Sequence, residues 1–328
     1  MDTEKKGSRL FRFFDLHRDN RPDALEEDTT PTVKRYFKLL GRRFWKLVGL
    51  NLIMLPMVLP LIFIFLLYTG QRMTPTATDP LFSQLYGAGL QETTPIATLL
   101  LDLFGAQTDV PAAGNTLSYV LIALCVLFLA VTFGWQNVGA TYVLRNMVRG
   151  EPVFLFSDYF YAVKRNLRQG FLMGLLDALL LFLVGFDLLY FSGLTGSFWM
   201  DVCYWAVLVI GILYFFMRFY IYLMMITFEL SIRKILKNAL IFTALGVKRN
   251  LMGALGIVGL TAANVVLFIA LINVNIAIPL ILPVIYYFSF TAFTAAYAAY
   301  PVIERYMITP YQTNEENEEA PSDEEAPA

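Results

Sequence analysis

This sequence predicts an all-α polytopic membrane protein: six transmembrane helices, two amphipathic cytoplasmic loop helices and an internal duplication. Three observations carry that expectation. Hydrophobic residues make up 57% of the chain and charged residues only 16%, with a mean hydropathy of +0.58, whereas about a quarter of a soluble domain is charged. Six apolar stretches reach the length of about 20 residues that a helix needs to cross hydrocarbon. On the topology those stretches define, 23 of the 25 Lys and Arg residues fall on one side.

The six stretches cover roughly 44–69, 117–135, 170–191, 202–227, 253–272 and 278–299. Twelve basic residues lie in the N-terminal segment through Lys46. The loop between spans two and three adds Arg145, Arg149, Lys164, Arg165 and Arg168. The loop between spans four and five adds Arg233, Lys234, Lys237, Lys248 and Arg249, and Arg305 follows the sixth span. Only Arg72 lies on the opposite side, and Arg218 falls within span four. The positive-inside rule therefore places both termini in the cytoplasm. The polar first 43 residues and the length of the first apolar run do not fit a secretory signal.

The expected organisation is a basic leader (1–43), a six-helix membrane domain (44–300) and an acidic, disordered tail (301–328). In the leader, Leu10, Phe11, Phe13, Phe14 and Leu16 sit among Arg9, Arg12, His17 and Arg18. That cluster suits either an interfacial helix on anionic lipid or a mobile tail. Residues 313–328 carry seven acids and no large apolar side chain, the composition of a solubilising or docking tail. An outer insertion, 70–116, contains the stretch Pro95–Gly105, too short to span and read as interfacial or re-entrant.

Val163-Lys-Arg-Asn-Leu167 recurs as Val247-Lys-Arg-Asn-Leu251, at an offset of 84 residues. That offset lays span two on span four and span three on span five, which implies a duplicated helix–loop–helix unit in parallel orientation. Each loop holds a prospective amphipathic helix. One is capped by Ser157 and carries Tyr159, Phe160, Tyr161 and Val163; the other starts at Ser231 with the stripe Ile232, Ile235, Leu236, Ala239 and Leu240. Their cations, Lys164, Arg165, Arg168, Arg233, Lys234, Lys237, Lys248 and Arg249, read either as topology anchors or as a contact surface for a partner or for anionic lipid.

Leu50-Asn-Leu…Leu59-Pro60, then Gly139-Ala-Thr-Tyr-Val-Leu-Arg-Asn-Met-Val-Arg-Gly-Glu151, then Ser157-Asp-Tyr-Phe-Tyr-Ala-Val-Lys-Arg-Asn-Leu-Arg-Gln169 resemble the YesL-like family of bacterial integral membrane proteins. Leu230-Ser-Ile-Arg-Lys-Ile-Leu-Lys-Asn-Ala-Leu240 fits the same pattern, and the likeness covers about residues 35–300. It implies a compact helical protein associated with carbohydrate uptake, with an ABC-type transporter as a possible partner, and it implies no catalytic residues. The long outer insertion departs from the family pattern.

Ionisable side chains inside a bilayer are costly, about 2.5–3.5 kcal/mol each at mid-helix, and so point to sites. Here they are Asp177 and Asp187 in span three and Arg218 in span four. Counting 1.5 Å per residue puts Asp177 about 10 Å and Arg218 about 13 Å from the inner face, so these two are the expected ion pair. Asp187 falls near 25 Å, towards the outer boundary. The pair reads as a register-fixing contact or as a proton or substrate-charge site. Pro56 and Pro60 in span one, and Pro279 and Pro283 in span six, are expected to bend their helices. Asn51 precedes the first bend, Asn264, Asn273 and Asn275 add polarity to span five and its outer end, and Gly170-x-x-x-Gly174 allows close helix contact.

No Walker A, His-Glu-x-x-His, Gly-x-Ser-x-Gly or Gly-x-Gly-x-x-Gly pattern occurs. Cys125 and Cys203 are isolated apolar-context thiols, and with His17 as the single histidine they form no metal set. The expectation is a non-enzymatic membrane accessory protein without cofactor, metal or nucleic-acid partner. The alternative is a small-solute secondary transporter using the bent spans and the Asp177/Arg218 region.

Overall fold

The computed structural model describes residues 30–68, 116–193, 198–272 and 282–311, and every regular element among them is helical. In chain order these are α1 (Val33–Arg42), α2 (Phe44–Ile53), α3 (Leu55–Tyr68), α4 (Thr116–Arg149), α5 (Leu155–Arg165), α6 (Leu167–Ser192), α7 (Phe198–Thr227), α8 (Ile232–Leu245), α9 (Val247–Ile272) and α10 (Leu282–Ile303). A π-helical turn, Glu304–Ile308, follows α10. The leader cluster at 10–18, the outer insertion with Pro95–Gly105, Pro279, Asn273, Asn275 and the tail from 313 lie outside the described residues.

Four of these helices, within α4, α6, α7 and α9, are long and apolar enough to cross a membrane. A fifth span results if Phe44–Ile53 and Leu55–Ile64 count as one broken helix. The expected sixth stretch, 278–299, begins outside the described residues, and α10 is its described part. Ser289, Phe290, Phe293, Thr294 and the run Ala296–Tyr300 are buried, and α10 packs against α2, α7, α8 and α9. A helix surrounded by other helices need not show lipid a uniformly apolar surface, which accommodates the Tyr, Ser and Thr side chains of α10.

Contacts divide the chain into two compact units, residues 1–55 with 130–328, and residues 56–129. The described part of the second unit is most of α3 and the start of α4. Within α3, Pro56 is the second residue and Pro60 lies inside the helix. The ring and missing N–H of Pro56 oppose the carbonyl of Leu52, so α2 stops at Ile53 with Met54 as a turn. Pro283 lies at the start of the described part of α10, and what precedes Leu282 is outside the described residues. The proline inside α10 is Pro301, one turn before the π-helical segment. The segment expected to begin a tail at 301 is therefore helical to Tyr311.

In the larger unit the second expected span does not end near Trp135. α4 continues for 34 residues to Arg149, so Arg145 and Arg149 sit on a helix and not in a loop. Gly150, at φ +85°, stops it, with Glu151 N–H donating to Asn146 O (3.0 Å), as in a Schellman ending. The first amphipathic helix starts two residues before the expected Ser157 cap. Phe154 is its N-cap, and the Asp158 carboxylate accepts the Phe154 N–H at 2.9 Å. Ser231 is the N-cap of α8 but its hydroxyl makes no capping bond. The buried stripe of α8 is Ile235, Ala239, Phe242 and Thr243, rotated away from the expected Leu240, which is exposed.

The order long helix, short amphipathic helix, long helix occurs twice, as α4–α5–α6 and α7–α8–α9. The repeated pentapeptide does not occupy equivalent places in the two. Asn166 is the junction between α5 and α6, whereas Asn250 lies in the first turn of α9, with Gly246 as the junction. The junctions are thus 80 residues apart, one helical turn short of the sequence offset.

Burial concentrates at the end where the basic residues collect. In α7 the whole run Phe219–Ile226 is buried, while Trp199, Trp205, Val209 and Ile210 nearer its start are exposed. The N-terminal segment joins this core from residue 33 onwards. Thr32 caps α1 by accepting the Arg35 N–H at 3.3 Å, and Leu39 and Arg43 are buried.

Candidate functional site

α7 places Tyr214, Arg218 and Tyr222 four residues apart, hence on one face, and all three converge on Asp177 of α6. Arg218 Nε lies 3.0 Å from Asp177 Oδ1 and 3.3 Å from Oδ2. The Tyr214 hydroxyl donates to Oδ1 and the Tyr222 hydroxyl to Oδ2, each at 2.7 Å. Asp177 is wholly buried, while Arg218 retains 29% side-chain exposure and sits 5.9 Å over the Phe133 ring. A carboxylate offers about four acceptor directions, and these three donors engage both of its oxygens. The structure therefore brings Asp177 and Arg218 together and adds two tyrosines that the sequence analysis did not single out. Their signal was available: a hydroxyl one turn on either side of an intramembrane arginine. Asp187 stands apart, half-buried, with no hydrogen bond or ion pair among the described residues.

Three glycines set this approach. A Cβ on Gly174 would come 2.2 Å from Gly134 Cα, and one on Gly134 would come 1.9 Å from Gly170 O. α6 and α4 thus cross backbone to backbone, with Gly174 and Asp177 one turn apart on the same face of α6. The small-residue pair of the sequence is a real crossing point, and its partner is Gly134.

The basic side chains divide into two groups. Some are engaged: Arg145 Nη1 donates to Ile226 O at 3.2 Å and to Thr227 Oγ1 at 3.4 Å, closing the end of α7. Arg35 Nη2 donates to Val148 O at 3.2 Å, and Lys46 Nζ to Val153 O at 3.0 Å. Arg145 and Arg35, over the C-terminal carbonyls of α7 and α4, answer both the orphan acceptors and the helix dipole, while Lys46 holds the loop that follows α4; charge counting shows neither role. Others face outwards: Lys164, Arg165, Arg168, Arg233, Lys234, Lys237 and Lys248 are exposed and Arg249 is half-buried. Among them Arg165 reaches Glu229 at 3.6 Å, a surface pair whose acid is 94% exposed and which contributes little.

Asn51 is buried and bridges α2 to the backbone of α10, donating to Val284 O at 2.5 Å and accepting the Ser289 N–H at 2.8 Å. Asn264 accepts the Tyr286 hydroxyl at 2.7 Å, joining α9 to α10. Both asparagines serve packing here. Burial pushes the Tyr159 phenol on α5 well above its ordinary value. The same cause raises Tyr36 on α1, partly offset by its hydrogen bond with Thr294. No group of three or more His, Cys, Asp or Glu among the described residues is arranged to hold a metal.

A family described as "Protein of unknown function, DUF624" matches residues 113–188. The matched segment holds the glycine crossing, Asp177 and the cations of α5, but neither Arg218 nor Arg249. No curated protein and no solved structure matches the chain. The match is consistent with the YesL-like resemblance and assigns no activity.

Proposed function

We propose that this chain is a non-enzymatic accessory protein of a bacterial cytoplasmic membrane. It has six spans and both termini inside, and its basic cytoplasmic loops contact anionic lipid or the acidic surface of a membrane partner. The carrying observation is a contrast between two sets of charge. Asp177 is buried and supplied with three donors, whereas seven cations on α5, α6, α8 and α9 stay exposed at one end of the helices. A closed intramembrane charge supports packing, and an open basic rim supports attraction of negative charge. The repeated helix order supports a duplication behind the two rims. By resemblance the partner belongs to carbohydrate uptake, an ABC-type transporter being the first to look for.

Purification from the native membrane in mild detergent, with mass spectrometry, tests this. The expected result is a stoichiometric membrane partner or retained anionic lipid, lost when Lys164, Arg165, Arg233 and Lys237 are replaced by Gln. The second reading, autonomous solute transport, draws on the partial exposure of Arg218 inside its span. Solute uptake by the protein alone in liposomes, abolished by Asp177→Asn, would replace the accessory reading with it.

A further inference from the structure

A cleft of about 180 Å³ opens between α1, α9 and α10. Its walls include Tyr36 and Phe37 of α1, Arg249, Met252, Gly253 and Gly256 of α9, and Thr294 and Tyr297 of α10. The two glycines let α9 close on α10: a Cβ on Gly253 would lie 2.8 Å from Ala298 Cβ, and one on Gly256 2.8 Å from Thr294 Cγ2. The hydroxyls that line the cleft are already used. Tyr36 and Thr294 bond to each other at 2.8 Å, and Tyr297 donates to Thr32 O at 2.6 Å. Those bonds tie α1 to α10 and leave the interior presenting ring faces and aliphatic carbon. Arg249 is the exception. It lines the cleft half-buried, with no hydrogen-bond or ion-pair partner among the described residues.

Position decides what fits. Arg249 is in the first turn of α9, whose apolar stretch Val247–Leu271 is long enough to span, so its guanidinium stands at a membrane–water boundary. Gly256 lies seven residues further on, about 10 Å deeper along the span. Phe37 and Met252 are 63% and 56% exposed beside the opening, which favours an apolar neighbour over water. The volume is below the roughly 300–1,000 Å³ of ordinary small-molecule sites, and the interior offers a polar solute no free partner. We infer that one anionic phospholipid docks at this cleft, its phosphate on Arg249 at the mouth and only a segment of one acyl chain seated inside, along α9 towards Gly256. The inference rests on the anionic-lipid half of the proposed function and gives it a specific seat.

The full-length protein, purified in mild detergent, is offered equal amounts of phosphatidylglycerol and phosphatidylcholine, and retained lipid is counted by native mass spectrometry. Wild type is expected to retain one phosphatidylglycerol in preference. Arg249→Gln should cut that preference by about fivefold, the factor implied by one basic residue at an anionic surface. Arg249→Lys should keep most of it, and Arg305→Gln, exposed and outside both the cleft lining and the basic rim, should leave it unchanged. A preference insensitive to Arg249→Gln but lost when Lys234→Gln and Lys237→Gln are combined overturns the cleft and leaves the basic-rim reading standing. No preference in wild type overturns both. Displacement of the lipid by an equal concentration of chain-free glycerophosphoglycerol would show a phosphate site alone and also overturn the inference.

Discussion

Arg218 and Arg249 are two arginines of one chain with opposite arrangements. Arg218 lies within a span and its charge is answered by a carboxylate 3.0 Å away that two tyrosines also hold. Arg249 lies at the end of a span beside an apolar cleft, with no carboxylate among the described residues near enough to pair. The first resembles a bolt between α6 and α7; the second is an open socket. The difference teaches that depth alone does not mark a functional charge. A deep charge must be neutralised by its own protein because lipid cannot do so, whereas a boundary charge can wait for a headgroup.

The largest effect should come from breaking the closed pair. Asp177→Ala leaves Arg218 and two tyrosine hydroxyls without their acceptor and should cost about 3–5 kcal/mol, read as a marked fall in thermal unfolding temperature in detergent. The double variant Asp177→Asn, Arg218→Gln should recover much of that loss. If the double variant is as unstable as the single one, the pair is not what holds α6 to α7.

Next in size is the crossing that delivers Asp177. Gly174→Ala puts a methyl group against the Gly134 backbone and should cost about 1–3 kcal/mol through overpacking. Gly185, on the same helix, has nothing within 4 Å of the added carbon, so Gly185→Ala should be harmless by the same melt. Equal effects at the two glycines would show that helix propensity, not the crossing, is being measured.

Tyr222→Phe removes one donor and retains the ring, for an expected cost of about 0.6–1.7 kcal/mol, from the average to the largest value found for hydrogen bonds within a membrane protein. Arg249→Gln, by contrast, should leave stability within about 0.5 kcal/mol while changing lipid retention. A large stability loss there would mean that Arg249 is part of the packing, and the contrast with Arg218 would disappear.

The smallest effect is on pH. Burial raises the phenols of Tyr159 and Tyr36, so the folded protein keeps both protons at pH values where the unfolded chain, with tyrosines near pKa 10, releases them. Their contribution is thus fully present below about pH 10 and declines as pH rises above it. Hydrogen exchange on α1 and α5 should speed up above that pH before exchange on α7 does, and simultaneous loosening of all three would remove the assignment to these two side chains.

Much of this was legible in the residues alone. Apolar length alone marked α4, α6, α7 and α9 as membrane helices, because the cost of exposing backbone polar groups to hydrocarbon leaves a helix as the only option for a lone apolar run. Counting rise per residue brought Asp177 and Arg218 to similar depths because 1.5 Å per residue is a property of the helix, not of its neighbours. Rotation about the helix axis and partner choice do not follow from length. Tertiary packing decided that Gly134 faces Gly170 and Gly174, that Tyr214 and Tyr222 share the acceptor, and that Asn51 binds the backbone of α10. It also decided that Arg145 closes α7 while Arg249 stays open, though both counted equally as positive charges. A cleft is a relation between three helices distant in sequence, formed where α9 and α10 meet at glycines and α1 is tied across by two tyrosines; no local pattern encodes it, so only the folded chain could show where Arg249 and an apolar slot coincide.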